Sequence, residues 1–222
     1  MRLTSIFALG PAIVLSLCAA SDFWNTRAPG DWSAAEIKQM VTASPWAKPA
    51  TVSVHDSPSR LPAILVRWDS ATPVREACSA GGMEPYLFSC ASKLLYLTGL
   101  GEKFDALRKS FYIVSVSGYP KPPRAEGDAP EHSEAGDAAL AQLGGNIRET
   151  TFLKREGKPP IQAGQIIVLP AGDALLLLAF FPRAAELATG DGDVLFESVN
   201  GPLTLKATFP LGKMAFRELL DL

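Results

Sequence analysis

The two histidines are the first residues to consider for catalysis, because imidazole exchanges protons near neutral pH. Asp56 directly follows His55, an order that suggests a general base oriented by a carboxylate. Neighbouring side chains on a strand point to opposite faces, so these two cannot pair if a strand continues through them. The alternative, which we favour, is a histidine at the end of a strand beside a turn-forming aspartate.

Two acidic groupings contain residue types that bind metal ions. The first comprises Glu131, His132, Glu134 and Asp137. Its Pro-rich, acidic surroundings are typical of a solvated loop, which is a poor metal site. The second, Asp191-Gly192-Asp193, offers oxygen ligands for calcium but lacks the remaining ligands of a calcium loop, and a turn explains it equally well. We therefore predict no metal site and no cofactor.

Four tryptophans lie within the first 70 residues: Trp24, Trp32, Trp46 and Trp68. Clustered tryptophans stack on sugar rings or anchor partner proteins, and they also fill cores. Trp32 is placed to pack beside a helix start and Trp68 ends a buried strand, so core packing is the alternative that we favour. Trp24 and Trp46 remain as candidate binding residues.

Familiar catalytic motifs are absent from the sequence. It contains no nucleophile elbow, phosphate-binding loop, zinc-binding His-Glu-x-x-His or Cys-x-x-Cys motif. Gly99-Leu100-Gly101 lacks the third glycine of a dinucleotide-binding turn, so we interpret it as a loop. The basic residues Lys154, Arg155 and Lys158, which precede Pro159-Pro160, are expected to form a solvated turn. The catalytic residues of any enzyme here are thus unknown.

Residues 1–20 are typical of a secretory signal peptide. Arg2 precedes a short apolar run that ends in small residues at Cys18-Ala19-Ala20. The run is shorter than the ~20 residues that a membrane-spanning helix needs. Leu15-Ser16-Leu17-Cys18 is similar to a lipoprotein processing site, although Leu17 stands where a small residue is usual. We predict a periplasmic or secreted protein, with a lipid anchor at Cys18 as the lesser alternative.

Cys78 and Cys90 are the cysteines that follow this segment. An oxidising compartment favours a disulfide between them, and two buried free thiols are the alternative. The chain carries 21 basic and 23 acidic residues, a formal net charge of −2. This balance argues against a nucleic-acid partner, which would require a basic surface. Membrane contact is expected only if Cys18 is lipidated.

The first half of the chain predicts mostly helices. Ser33 and Glu36 have the spacing of a capping box, which starts a helix at Ala34, and Ser44-Pro45 ends it. Further helices are predicted from Thr72 to Gly81, over 84–98, near 104–107 and over 137–143. A loop rich in proline and acidic residues is predicted at about 118–137.

Apolar, β-branched and aromatic runs bounded by turn residues predict strands over 51–55, 63–68, 111–117, 150–154, 165–169, 174–181, 193–199 and 203–209. In the last of these, apolar and polar residues alternate, so one face is expected to be buried. Asn200-Gly201 predicts a hairpin between the last two strands. The continuous apolar run 175–181 predicts a strand covered on both faces. We therefore expect residues 21–222 to form one α+β domain, in which an antiparallel sheet, mostly from the C-terminal half, packs against helices from the N-terminal half.

Several short stretches after residue 20 form a recognisable pattern: Trp32-Ser33, 44–47, 66–71, 73–75, 157–161, 180–183, 201–203 and 213–214. In these stretches the sequence resembles a family of uncharacterised exported proteins known mainly from Acidobacteria. The similarity spans nearly the whole chain after residue 20 and implies export from a bacterial cell. The resemblance implies no activity, ligand or site residue.

Together these observations favour a non-catalytic envelope or extracellular protein that binds a protein or glycan partner. Two alternatives stay open. A hydrolytic enzyme with an unrecognised site would depend on His55 or His132. A structural exported protein would have no small-molecule ligand.

Overall fold

The chain is α+β in the computed structural model, which describes residues 22–55, 63–81, 90, 101–123 and 133–222. In these ranges the helices are α1 (Phe23–Thr26), α2 (Ala34–Thr42), α3 (Thr72–Ala80), α4 (Gly101–Ser110) and α5 (Glu134–Glu149). Short 3-10 helices cover Pro29–Asp31, Thr189–Asp191 and Leu211–Lys213. The strands are β1 (Ala47–Pro49), β2 (Thr51–Val54), β3 (Leu65–Trp68), β4 (Phe111–Pro120), β5 (Thr151–Arg155), β6 (Lys158–Gln162), β7 (Gln165–Ala171), β8 (Ala174–Pro182), β9 (Asp193–Asn200), β10 (Leu203–Pro210), β11 (Ala215–Phe216) and β12 (Leu219–Leu220). The predicted fold class is confirmed.

Some predictions fall on residues outside these ranges. They include the signal peptide, the lipidation site at Cys18 and the helix over 84–98, from which only Cys90 is described.

Two five-stranded antiparallel sheets form the body of the protein. The first has the strand order β1-β3-β4-β8-β7 and the second has the order β2-β10-β9-β5-β6, while β11 and β12 form a separate small hairpin. Every neighbouring pair is antiparallel. A single sheet was predicted. Alternation shows that one face of a strand is buried, but it does not show which sheet the strand joins, so the second sheet was not predicted.

Aromatic side chains from both sheets meet in one core. Trp68 of the first sheet packs edge-to-face on Phe209 of the second at 5.8 Å between ring centroids. Phe181 and Phe196 make the same kind of contact at 6.3 Å. Such pairs prefer edge-to-face geometry because of the ring quadrupole. The two sheets therefore share one hydrophobic interior.

Strand β8 is covered on both faces, as the apolar run predicted. Its residues Leu177, Ala179 and Phe181 face the core shared with the second sheet. The alternate residues Leu176, Leu178 and Phe180 belong to a smaller cluster with Phe104 of α4. The strand lies beside the central strand β4. Double-sided burial explains why its sequence shows no polar alternation.

The local signals at α2 and at the last hairpin are also confirmed. The Ser33 hydroxyl accepts a hydrogen bond from the Glu36 amide, and the Glu36 carboxylate accepts one from the Ser33 amide. Strands β9 and β10 pair throughout their length across the predicted turn. Gly201 supplies the positive φ of 55° that this turn requires.

Helix α5 is longer than predicted, because it continues through Gly144-Gly145 instead of ending there. A Cβ atom at position 144 would lie 2.7 Å from the carbonyl oxygen of Ile166 in β7. Gly144 therefore allows the helix to contact the strand backbone. Strand β4 reaches Pro120 and α5 begins at Glu134, so both elements extend into the segment predicted as loop.

Lys154 and Arg155 end β5 and Lys158 begins the edge strand β6, so the solvated turn predicted for these three residues is limited to the two residues between the strands. Proline lacks an amide hydrogen, so it is tolerated in a sheet mainly at an edge, where one side of the strand needs no donor. Pro159 and Pro160 occupy such an edge. They also limit pairing with another chain at that edge.

Cys78, near the end of α3, forms the predicted disulfide with Cys90. Both residues are buried. A disulfide fits an oxidising location. In the described part of the chain, no helix combines the length and the apolar character needed to cross a bilayer.

Candidate functional site

A cleft of about 470 Å³ opens where α1, the end of α2, β1 and the 3-10 helix Leu211–Lys213 meet. We call it the lysine cleft, because Lys48 and Lys213 both line it. Its other lining residues are Asp22, Trp24, Asn25, Gln39, Ala43, Ser44, Pro45, Gly212 and Ala215. The cleft therefore combines two cationic side chains with one carboxylate and two carboxamides.

Lys48 extends from a well-fixed backbone. It is the middle residue of β1 and pairs with Val66 of β3. The buried Ser44 hydroxyl donates to the Met40 carbonyl at 2.7 Å and accepts from the Trp46 amide at 3.2 Å, which fixes the turn between α2 and β1. Because β3 pairs with the Lys48 backbone and the Ser44 bonds fix the preceding turn, the Lys48 side chain begins from a defined position.

The opposite wall is held by Asn25. Its side-chain amide donates to the Ala215 carbonyl at 3.3 Å, and its side-chain oxygen accepts from the Arg217 amide at 2.8 Å. These two bonds join α1 to the chain that follows Lys213. They fix the segment that carries the second lysine.

The charges of the lysine cleft are not neutralised within the described part of the chain. Among the described residues, no carboxylate forms an ion pair with Lys48 or Lys213. Asp22 is the one carboxylate among the described lining residues, and it also pairs with neither lysine. Burial lowers the pKa of Lys48, and repulsion from Lys213 lowers it further. An anionic ligand would relieve that repulsion.

Of the candidate binding residues, Trp24 lines the lysine cleft and Trp46 packs against Trp24. Their rings pack edge-to-face at 5.6 Å, and Trp24 is 4% exposed. Trp46 is fully buried and donates its indole N–H to the Asp221 carbonyl at 2.6 Å. Trp24 therefore forms part of the wall, and neither ring offers a free face for stacking on a sugar. Trp32 and Trp68 are also buried in the core.

Of the two candidate histidines, the structure describes only His55. His55 is exposed just beyond the end of β2, and its backbone amide donates to the Pro202 carbonyl at 3.0 Å. It does not line the lysine cleft. Its predicted partner Asp56 lies outside the described residues, as do Glu131 and His132.

The acidic candidates with described positions have local roles. Glu134 and Asp137 lie in the first turn of α5, where the helix dipole favours negative charge. Across the described ranges, no group of three or more His, Cys, Asp or Glu residues is arranged to hold a metal ion.

The Asp191 carboxylate is held by two cations rather than being free for calcium. It accepts a hydrogen bond from Arg155 at 3.3 Å, and it pairs with Lys158. It also accepts from the Ala188 amide at 3.1 Å. These bonds, with that to Lys158 the largest cause, lower the pKa of Asp191 to about 2. Arg155 and Lys158 thus join strands β5 and β6 to the 3-10 helix that precedes β9.

Other charged side chains are similarly neutralised. The Arg67 Nε donates to Asp69 at 2.6 Å, and both residues are buried. Lys154 and Lys206 both pair with Glu197 on the second sheet. These groups stabilise the fold locally, in contrast to the two lysines of the lysine cleft.

Two further cavities carry less ligand-directed chemistry. A groove of about 500 Å³ between α5 and β7 is lined mainly by apolar side chains and strand backbone. A cleft of about 720 Å³ contains Arg183, whose guanidinium stacks on Tyr112 at 4.3 Å and donates to the Arg108 carbonyl at 2.9 Å. That arginine is already engaged. Of these three cavities, the lysine cleft is the strongest candidate site.

Comparison of the chain with protein-family models, with curated protein sequences and with solved structures found no match.

Proposed function

We propose that the protein is an exported, non-catalytic binding protein and that the lysine cleft binds an anionic group of its ligand. The observation that carries this proposal is that Lys48 and Lys213 line one cleft and that neither forms an ion pair with a carboxylate of the described residues. Holding two like charges together costs free energy, and a bound anion offsets that cost.

The dimensions and lining of the lysine cleft favour a small ligand or the acidic residue of a larger one. Its volume of about 470 Å³ lies within the range typical of small-molecule sites. Gln39 adds a carboxamide that can bond to hydroxyl groups. An acidic sugar residue of an envelope glycan has both features, so an acidic glycan is the partner we propose.

Isothermal titration calorimetry of the natively exported protein tests this proposal. The ligands are oligogalacturonate, the neutral oligosaccharide of the same length, and sulfate. We expect oligogalacturonate to bind, its affinity to fall as salt rises, and the neutral oligosaccharide to show no binding. Absence of binding by any anion at low salt would overturn the proposal and favour a structural role.

A further inference from the structure

The two lysines of the lysine cleft are placed differently. Lys48 is partly buried and extends from the middle of β1, whereas Lys213 is exposed on the 3-10 helix that follows β10. A lysine that loses water and faces another cation gives up its proton more readily than an exposed lysine. The cleft therefore pairs a partly buried amine, whose pKa is lowered, with an exposed one.

The charged groups around Lys48 support this division. Among the described lining residues, Lys213 and Asp22 are its ionisable neighbours. Asp22 forms no ion pair with Lys48. Burial is the larger cause of the lowered pKa of Lys48, and repulsion from Lys213 lowers that pKa further. A neutral lysine amine is a nucleophile toward carbonyl carbon, and desolvation or a neighbouring cation activates it.

We propose that Lys48 reversibly captures a small carbonyl acid, such as a 2-oxo acid or a sugar acid with a free aldehyde, as a Schiff base. Lys213 pairs with the carboxylate of the ligand and so brings the carbonyl carbon to Lys48. This inference rests on the proposed anion-binding function, since both use the lysine cleft.

The chemistry needs no reagent beyond the ligand. The lone pair of Lys48 Nζ forms a bond to the carbonyl carbon, while the carbonyl π electrons move to oxygen. Transfer of a proton from nitrogen to that oxygen gives a neutral carbinolamine. The nitrogen lone pair then forms the C=N bond as the hydroxyl group takes a proton from solvent and leaves as water, and the resulting iminium nitrogen returns a proton to solvent. Amine and carbonyl thus give imine and water without change of oxidation state, and hydrolysis reverses the reaction.

Reductive trapping tests the inference. The full exported protein is incubated with pyruvate and sodium cyanoborohydride at neutral pH, digested, and mapped by mass spectrometry. We expect adduct to form on Lys48 in preference to the exposed lysines. Lys48→Arg should abolish this adduct, and Lys213→Met should reduce it several-fold. Lys206→Met, which removes a lysine paired with Glu197 on the second sheet, should leave it unchanged.

A second arm identifies the role of the carboxylate. Acetone lacks the carboxylate of pyruvate, and it should label Lys48 several-fold less at the same concentration. Adduct spread over surface lysines in proportion to their exposure would overturn the inference. Equal labelling of Lys48 by both carbonyl compounds would overturn the role of Lys213.

Calorimetry with oligogalacturonate separates this inference from the function on which it rests. Lys48→Arg keeps the positive charge, so the variant should still bind the anion. If wild type and Lys48→Arg both bind the anion but pyruvate leaves no adduct on Lys48, Schiff-base capture is wrong and anion binding stands. If neither protein binds the anion, the proposed function fails.

Discussion

Lys48 and Lys213 lie at opposite ends of the sequence but line the same cleft, and no carboxylate in the described part of the chain forms an ion pair with either. They lie in one cleft because β1 forms an edge of the first sheet and the chain after β10 returns to that edge. The fold therefore places two like charges together, which binding of an anion would relieve.

Replacing Lys48 by methionine should raise the stability of the free protein slightly, by about 0.5 kcal/mol. The lowered pKa of Lys48 means that its charged form is disfavoured in the folded state. Stability of the wild type should therefore rise as pH increases through the lowered folded pKa toward the unfolded value. Urea denaturation at several pH values measures both effects. A loss of more than about 1 kcal/mol in the variant would show that Lys48 stabilises the fold.

Gly144→Ala should destabilise the protein by roughly 1–3 kcal/mol, because the new Cβ overpacks the contact between α5 and β7. The atom would meet the Ile166 carbonyl oxygen at 2.7 Å and the Val168 side chain at 3.3 Å. Gly145→Ala is the matched control, since no atom lies within 4 Å of its added Cβ. The Gly145→Ala control should gain roughly 0.5–1 kcal/mol of stability, because alanine has a higher helix propensity than glycine. Equal effects of the two changes in denaturant unfolding would contradict the close helix–strand contact.

The Gly144 contact illustrates which features the sequence predicted and which it did not. The capping box of α2 and the Asn200-Gly201 hairpin depend on residues a few positions apart, so local rules predict them. Gly144 looks like a helix terminator in the sequence, because its reason for being glycine is the distant backbone of Ile166. Long-range contact of this kind also explains why β6 and the second sheet were missed.

The candidate site was predicted only in part, for the same reason. Trp24 was selected as an aromatic residue, and it forms part of the wall of the lysine cleft. Lys48 and Lys213 belong to no local motif, and each resembles an ordinary surface lysine in the sequence. The strands and helices bring them together, so no spacing along the chain could have indicated the pair.

Asp191→Asn should remove about 1–2 kcal/mol of stability at neutral pH, since the amide cannot pair with Arg155 and Lys158. The pKa of Asp191 is lowered to about 2 from a model-compound value of 3.8. The stabilisation by the Asp191 carboxylate is therefore complete above the pKa of this group in the unfolded chain. It is lost as pH falls through the pKa of Asp191 in the folded protein. Denaturant unfolding from pH 7 down to pH 2 should show the wild-type advantage shrinking below about pH 4. A difference that stays constant with pH would show that the charge of Asp191 is not its cause.

Reduction of the Cys78–Cys90 disulfide should lower the free energy of unfolding by roughly 2–3 kcal/mol, the amount expected from a crosslink closing a short loop. The two cysteines are 12 positions apart in sequence. The double variant Cys78→Ser, Cys90→Ser should show the same loss and no further response to dithiothreitol. Reductant sensitivity that persists in the double variant would contradict this assignment.

The affinity for oligogalacturonate at low salt tests the central claim most directly. Isothermal titration calorimetry should compare the wild type with the double variant Lys48→Met, Lys213→Met and with the control Lys206→Met. We predict that the double variant binds at least about tenfold more weakly, a difference of about 1.4 kcal/mol. The wild type and the control should bind equally and lose affinity together as salt is added. Equal affinity of all three proteins would contradict the assignment of the lysine cleft as the binding site.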